Sequence, residues 1–299
     1  MNYFLHILIY FDIYLIVALS LNIVVGYIGL LNLAHAGYFA VGCYTYALVA
    51  LKLGWGIIPG MLLGATLAMI LSLALSLSSW RFRGDSFVMI SLAVQACLYS
   101  AFYNWSNTNA PIGSLTNLTN GSFGLSGIPK PSIFSLKLDS TGDVAALSLG
   151  LAILCAVLVW LLVSSPWGRL LKAMRDDELA LRGLGKNVRL AKIQAFAIAS
   201  GLVAIAGALY ASYVGYIDPS TAGLDKSILM LAMVIVGGAG NFRGPIIGAV
   251  VLLLIPEILR FVDIPDAVAA NVRLLLYGLM LVVLMHFRPQ GLAGEYRMR

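Results

Sequence analysis

Residues 166–192 read PWGRLLKAMRDDELALRGLGKNVRLAK, with Arg169, Lys172, Arg175, Arg182, Lys186, Arg189 and Lys192 set against Asp176, Asp177 and Glu178. Long apolar segments lie on both sides of this island. So dense a run of charge cannot sit in a bilayer, and its basic excess marks it as cytoplasmic. Leu170, Leu171 and Met174, then Leu179 and Leu181, recur at roughly helical spacing, so the island reads as short amphipathic helix, with Gly183 and Gly185 as a stop. Such a helix either rests on lipid headgroups or docks into another protein, and charge and periodicity leave both open.

Working outward, the chain is 61% hydrophobic and 11% charged with a mean hydropathy of +0.93, where soluble domains carry about 25% charged residues. Several apolar runs approach the ~20 residues that span hydrocarbon. The fold expected is therefore an all-α polytopic integral membrane protein, a single domain over residues 1–299 with about eight to ten transmembrane helices. The net charge of +6 reads as topology, not as affinity for nucleic acid. Cys43, Cys97 and Cys155 fall in apolar segments without paired spacing and read as buried free thiols. MNYFLHILIYFDIY lacks the basic region of a cleaved signal peptide and is expected to begin the first span.

That span runs from about Phe4 to Leu31. A Gly-rich piece, Gly26 to Gly54, follows, its second half short for a crossing, with Asn32 and His35 at its start. Further spans are expected at about Gly56–Trp80, Ser86–Tyr103, Asp143–Ser164, Ile193–Tyr216, Ser227–Val236, Pro245–Leu259 and Val272–Phe287. Residues 104–142 are rich in Asn, Ser, Thr, Gly and Pro and form a long external loop. Residues 165–192 form a cytoplasmic loop. Placing Arg81, Arg83, the island, Arg243 and the tail inside puts thirteen of nineteen basic residues there, Lys226 among the six outside. About nine crossings result, N-terminus out and C-terminus in, with the segments after His35 and Ser227 short enough to be re-entrant.

Enzymatic motifs are scarce. His6, His35 and His286 lack metal-type partners, so no metal site and no cofactor are expected. Gly183-Leu-Gly-Lys-Asn187 is no phosphate loop, because no Ser or Thr follows Lys186 and Ala180 stands in the first Gly position. No catalytic residue is assigned. Polar residues within apolar segments are Asn22, Asn32, His35, Ser91 and Gln95, with Asn241 at a membrane edge. Each either ties helices together or lines a solute path. Asn32 and His35 lean toward the path because they fall in a Gly-rich break between apolar pieces. Charge is sparse at span centres, with Asp12, Glu257 and Arg260 placed near the ends. A proton- or sodium-driven carrier commonly needs a carboxylate there, which argues for an energy source outside the chain. Small residues recur four apart at Ser200, Ala204, Ala208 and Ser212, at Gly207, Ala211 and Gly215, and at Gly240, Gly244 and Gly248, which marks close helix packing.

Several of these segments together resemble the permeases of branched-chain amino-acid ABC importers. GYIGLLNLAHAGYFAVGCYTYAL (26–48) is similar to their N-terminal signature, and Arg83-Gly-Asp-Ser-Phe87 to an RGDYF-type element. Thr119-Asn-Gly-Ser-Phe-Gly124-Leu with Gly127-Ile-Pro129 resembles a TGG-x-x-GL-x-GIP element, with Asn120 in place of one Gly. The island resembles the family's coupling loop, and GALYAS (207–212) and VGGAGNFRGPIIGA (236–249) its C-terminal blocks.

The resemblance implies a translocation subunit of the inner membrane, with no nucleotide site of its own. It implies a second related permease, cytoplasmic ATPase subunits and a periplasmic solute-binding protein as partners. Arg175, Glu178, Ala180 and Gly185 are then expected to contact the ATPase, and Asn32, His35 and Gln95 to border the solute path. Branched-chain or other hydrophobic amino acids are the expected cargo. Urea or short amides are the alternative within the family, and a stand-alone secondary transporter is the alternative outside it.

Overall fold

The computed structural model describes residues 2–79, 81–82, 84–107, 109–133, 136–138 and 140–260, and beyond these 272, 275–280, 282–283, 286 and 290–293. The expected span Val272–Phe287, most of the basic tail, Trp80 and Arg83 lie largely or wholly outside the described residues. The described chain is helical almost throughout. Helices are α1 (Asn2–Asn22), α2 (His35–Leu53), α3 (Ile57–Ser78), α4 (Asp85–Asn104), α5 (Thr141–Ser164), α6 (Pro166–Asp176), α7 (Glu178–Gly183), α8 (Val188–Val214), α9 (Leu224–Gly237) and α10 (Arg243–Arg260). Among the described residues six segments are long and apolar enough to cross a membrane: α1 with its π-helical extension Ile23–Ile28, α2, α3, α4, α5 and α8. The chain is a multi-pass, all-α membrane protein.

The long helices divide into a centre and a flank. Over their most apolar windows α1, α2 and α8 are 67, 72 and 67% buried, against 39, 17 and 22% for α3, α4 and α5. Small residues set the centre. A Cβ on Gly42 would overlap the backbone of Ala204, and one on Gly207 would overlap the Phe39 carbonyl. The contact is tight enough for Cys43 Sγ to donate to the Gly207 carbonyl at 3.1 Å. The 204–212 stripe is thus the seam between α2 and α8, as close packing in lipid requires. Cys43 and Cys155 are buried, whereas Cys97 is exposed on α4, because that helix presents most of its surface outward.

The two long connections lie at opposite ends of α5, whose 24 residues span about 36 Å. At one end the 104–140 segment is pinned by a two-residue antiparallel pairing of Leu125–Ser126 with Tyr216–Ile217, just past α8. Ser140 caps α5 there, its Oγ accepting from Asp143 N–H at 3.1 Å. At the other end lie α6 and α7. Asp177, extended at φ −151° and ψ 100°, breaks the island into these two helices.

Two boundaries and one residue's placement differ from the sequence reading. The first span ends α-helically at Asn22 and continues as π-helix to Ile28, where Gly29 turns left-handed at φ 79°. The helix of the sixth long segment starts at Val188 rather than Ile193, because Asn187 Oδ1 accepts from Leu190 N–H at 3.0 Å. Asp12 lies in the middle of α1 and not near its end. It is 1% exposed, and its Oδ2 accepts from Ser148 Oγ of α5 at 2.7 Å.

Candidate translocation and coupling sites

Helix α2 begins inside the protein. A helix start leaves orphan N–H groups, and in a membrane no water satisfies them. Here neighbouring helices do. Ser91 Oγ of α4 accepts from Leu33 N–H at 3.1 Å, and Asn32 Oδ1 accepts from Ala34 N–H at 2.9 Å. Ser227 Oγ of α9 accepts from Ala36 N–H at 3.2 Å, and Gln95 Oε1 of α4 accepts from Gly37 N–H at 2.9 Å. Gln95 Nε2 in turn donates to the Ala222 carbonyl. His35 points the other way. Ser20 Oγ lies 2.8 Å from the Val17 carbonyl and 2.9 Å from His35 Nε2, so the hydroxyl ties the ring to the backbone of α1. Asn32 and His35 are 1% exposed and Gln95 2%. The structure therefore brings all three predicted path residues to one buried junction, where each is hydrogen-bonded within the chain.

The charged island is built differently. Ser165 caps α6, accepting from Trp167 N–H at 3.2 Å, with Pro166 in the first turn. Asp177 Oδ1 caps α7, accepting from Leu179 and Ala180 N–H at 2.9 and 3.0 Å. Gly168, Leu171, Met174 and Leu181 face the bundle. Leu179 and Leu184 are turned out, 67 and 76% exposed, alongside Ala180 and Gly185. Gly185 makes the turn after α7 at φ 73°, a conformation that favours glycine.

The four predicted ATPase contacts thus separate into two pairs. Ala180 and Gly185 lie on the outer surface. Arg175 and Glu178 turn inward. Arg175 Nη1 donates to the Gly26 carbonyl in the π-helical stretch at 2.7 Å. Glu178 receives Arg182 at 2.5 Å and Lys192 Nζ at 3.1 Å, and Lys192 also donates to the Ser79 carbonyl at the end of α3 at 3.0 Å. Lys172 Nζ sits 5.4 Å over the Tyr27 ring. Next to Gly26, Asn22 clasps the α9–α10 turn: its Oδ1 accepts from Gly240 N–H and its Nδ2 donates to the Asn241 carbonyl, both at 3.0 Å. The island helices, the end of α1 and the end of α9 therefore meet at one junction.

The sequence reading missed Ser20 and Ser227 as partners of the α2 start. A serine in an apolar helix carries little signal. The depth of Asp225 and Lys226 is masked by Pro219-Ser-Thr-Ala222, whose composition reads as external loop, whereas the structure carries this turn back to the level of Gln95.

Residues 3–285 match the family model described as branched-chain amino acid transport system, permease component. The chain belongs to that family. It is 29% identical to the high-affinity branched-chain amino acid transport system permease protein LivM of Escherichia coli K12, over 94% of this chain and 67% of that one. It is 26% identical to the "probable branched-chain amino acid transport permease protein LivM" of Methanocaldococcus jannaschii, over 97 and 92%. A shorter stretch, 38% of this chain and 34% of the relative, is 31% identical to the autoinducer 2 import system permease protein LsrC of Salmonella paratyphi B. No solved structure gives a significant match.

Proposed function

We propose that this permease is the translocation subunit of an ATP-driven importer in a bacterial inner membrane, carrying branched-chain or other hydrophobic amino acids. ATP hydrolysis belongs to separate cytoplasmic subunits, solute delivery to a periplasmic binding protein, and the translocation path to this chain together with a second, related permease. The family match and the named relatives favour amino acids over urea or short amides, and an importer over a carrier that works alone. The basic island supports a cytoplasmic α6–α7, which places residues 104–142 outside. The N-terminus is then periplasmic and the C-terminus cytoplasmic. Tyr3, hydrogen-bonded to Glu257, lies at the end of α1 remote from Arg175, and Leu292 N–H meets the Val236 carbonyl at the inner end of α9.

The observation that carries the reading is the two-sided coupling segment. Leu179, Ala180, Leu184 and Gly185 form the surface offered to an ATPase. Arg175 and Glu178 are the struts that pass its motion to α1, α3 and α8. Nucleotide can drive alternating access only through differential binding to two states, and a rigid docked helix supplies that link. Asn32, His35 and Gln95 border the path as the junction that rearranges beside it.

Affinity purification of the tagged chain from its native membrane tests this. A second permease and ATPase subunits are expected to co-purify, and scrambling residues 175–185 should release the ATPase subunits alone. A chain that purifies by itself and transports in ATP-free liposomes overturns the reading.

A further inference from the structure

The chain leaves α8 at its outer end, is stapled there through Tyr216–Ile217, and then turns inward. Its Ala222 carbonyl meets Gln95 Nε2 midway along the 20-residue α4, and Ser227 Oγ meets Ala36 N–H at the buried start of α2. The first turn of α9 is thereby held at mid-depth from two sides. From there α9 needs only 14 residues, about 21 Å, to approach the inner junction at Gly240.

Asp225 and Lys226 occupy that first turn. Ser227 and Met230 turn into the protein, whereas Asp225 is exposed and Lys226 partly so. Adjacent residues on a helix do not face each other, so the two charges stand apart with room for a ligand group between them. Neither makes a hydrogen bond or ion pair among the described residues. Charges at this depth are costly against lipid, and where they occur they face an aqueous path or a partner.

We propose that Asp225 and Lys226 form a recognition site for the zwitterionic head of an α-amino acid crossing the permease. The Asp225 carboxylate takes the α-ammonium and the Lys226 ammonium takes the α-carboxylate. An aliphatic side chain then lies against Leu224 and Ile228, which are exposed beside the pair at 41 and 44%. Site and ligand match charge for charge, so neither partner keeps an uncompensated charge at mid-depth. A neutral amide offers no such match. The site rests on the amino-acid reading above and deepens it: the path checks the head group that every α-amino acid shares.

The test uses the whole complex in proteoliposomes, with loaded binding protein outside and ATP within reach of the ATPase subunits. Asp225→Asn and Lys226→Gln are each expected to cut leucine uptake about tenfold or more, the loss of one charge-assisted contact. Binding-protein-stimulated ATPase should persist, so that cycles run without solute, and Asp225→Glu should restore part of the uptake. Wild-type uptake by both amide variants overturns the site. Loss of the second permease from either variant also overturns it, because the pair then serves a subunit contact. A wild-type complex that hydrolyses ATP but moves no amino acid removes the amino-acid reading itself, and the site with it. An independent measurement needs no transport. Lys226→Cys in a Cys97→Ser background should react with a charged, water-soluble thiol reagent, and leucine should slow the reaction; an unreactive or unprotected thiol rejects the site.

Discussion

Two kinds of helix start stand side by side in this molecule. On the water side, α6, α7 and α8 are capped by Ser165, Asp177 and Asn187, each bonding an N–H two or three residues further on. Inside the bundle, α2 is capped mainly from afar, by Ser91 and Gln95 58 residues away and by Ser227 191 residues away. The difference is one of solvent. A helix end in water needs only a local side chain, because water satisfies the remaining groups. A helix end at membrane depth must be closed by whatever polar side chains the neighbouring helices bring. The interruption at Asn32–His35 therefore exists only as a tertiary structure, and any motion of α4 or α9 has to move with it.

The largest expected effect breaks the remote caps. Gln95→Leu orphans the Ala222 carbonyl and leaves the Gly37 N–H only its bond to the Ala34 carbonyl at 3.1 Å, so a loss of about 3 kcal/mol is expected from one orphaned buried group and one weakened one. The thermal unfolding midpoint of the purified complex reads it. A near-neutral result would mean that water reaches the α2 start, and the contrast drawn here would fall. Lys192→Met comes next. By sequence Lys192 belongs to the water-side island, yet it is 2% exposed and reaches Ser79, 113 residues away. Removing it leaves Glu178 with Arg182 but without its buried cation. Full loss of a buried partner costs about 3–5 kcal/mol, and the retained Arg182 brings the expectation to about 2 kcal/mol. An effect below that of an exposed lysine would return Lys192 to the surface.

Much of this arrangement is legible before any coordinates. Apolar runs, the charged island and its glycine stop, the polar 104–142 stretch and the Ala204–Ser212 stripe each carry their meaning locally. Asn22, Asn32, Ser91, Gln95 and Asn241 stand out as polar residues in apolar surroundings, and all five take part in the two junctions. Their partners are not legible, since Gln95 with Ala222 and Asn22 with Gly240 are set by how helices distant in sequence pack. Periodicity shows that Arg175 and Glu178 share an amphipathic segment, but not that their head groups reach back to Gly26 and Lys192. The π-helical turn at Ile23–Ile28 has the composition of any apolar helix. Depth is the hardest property to read: Asp225 and Lys226 follow a Pro-Ser-Thr turn that resembles a surface loop, and only contacts with α2 and α4 place them at mid-span.

The smallest expected effect sharpens the contrast from the water side. Asp177 caps α7 through one oxygen and lies on an exposed surface. Asp177→Ala removes that cap, but water can take over Leu179 and Ala180 N–H, so the cost should stay near the typical ~1 kcal/mol for an N-cap. Asp177→Asn keeps an acceptor oxygen and should cost less still. Stability is the lesser readout here, because α7 carries the exposed Leu179 and Ala180 that face the proposed ATPase surface. A frayed α7 should lower the amount of ATPase subunit retained by the complex more than it lowers the unfolding midpoint. The reverse order, a large midpoint shift with full retention, would mean that α7 is held by the bundle and that its cap is as structural as the one at α2.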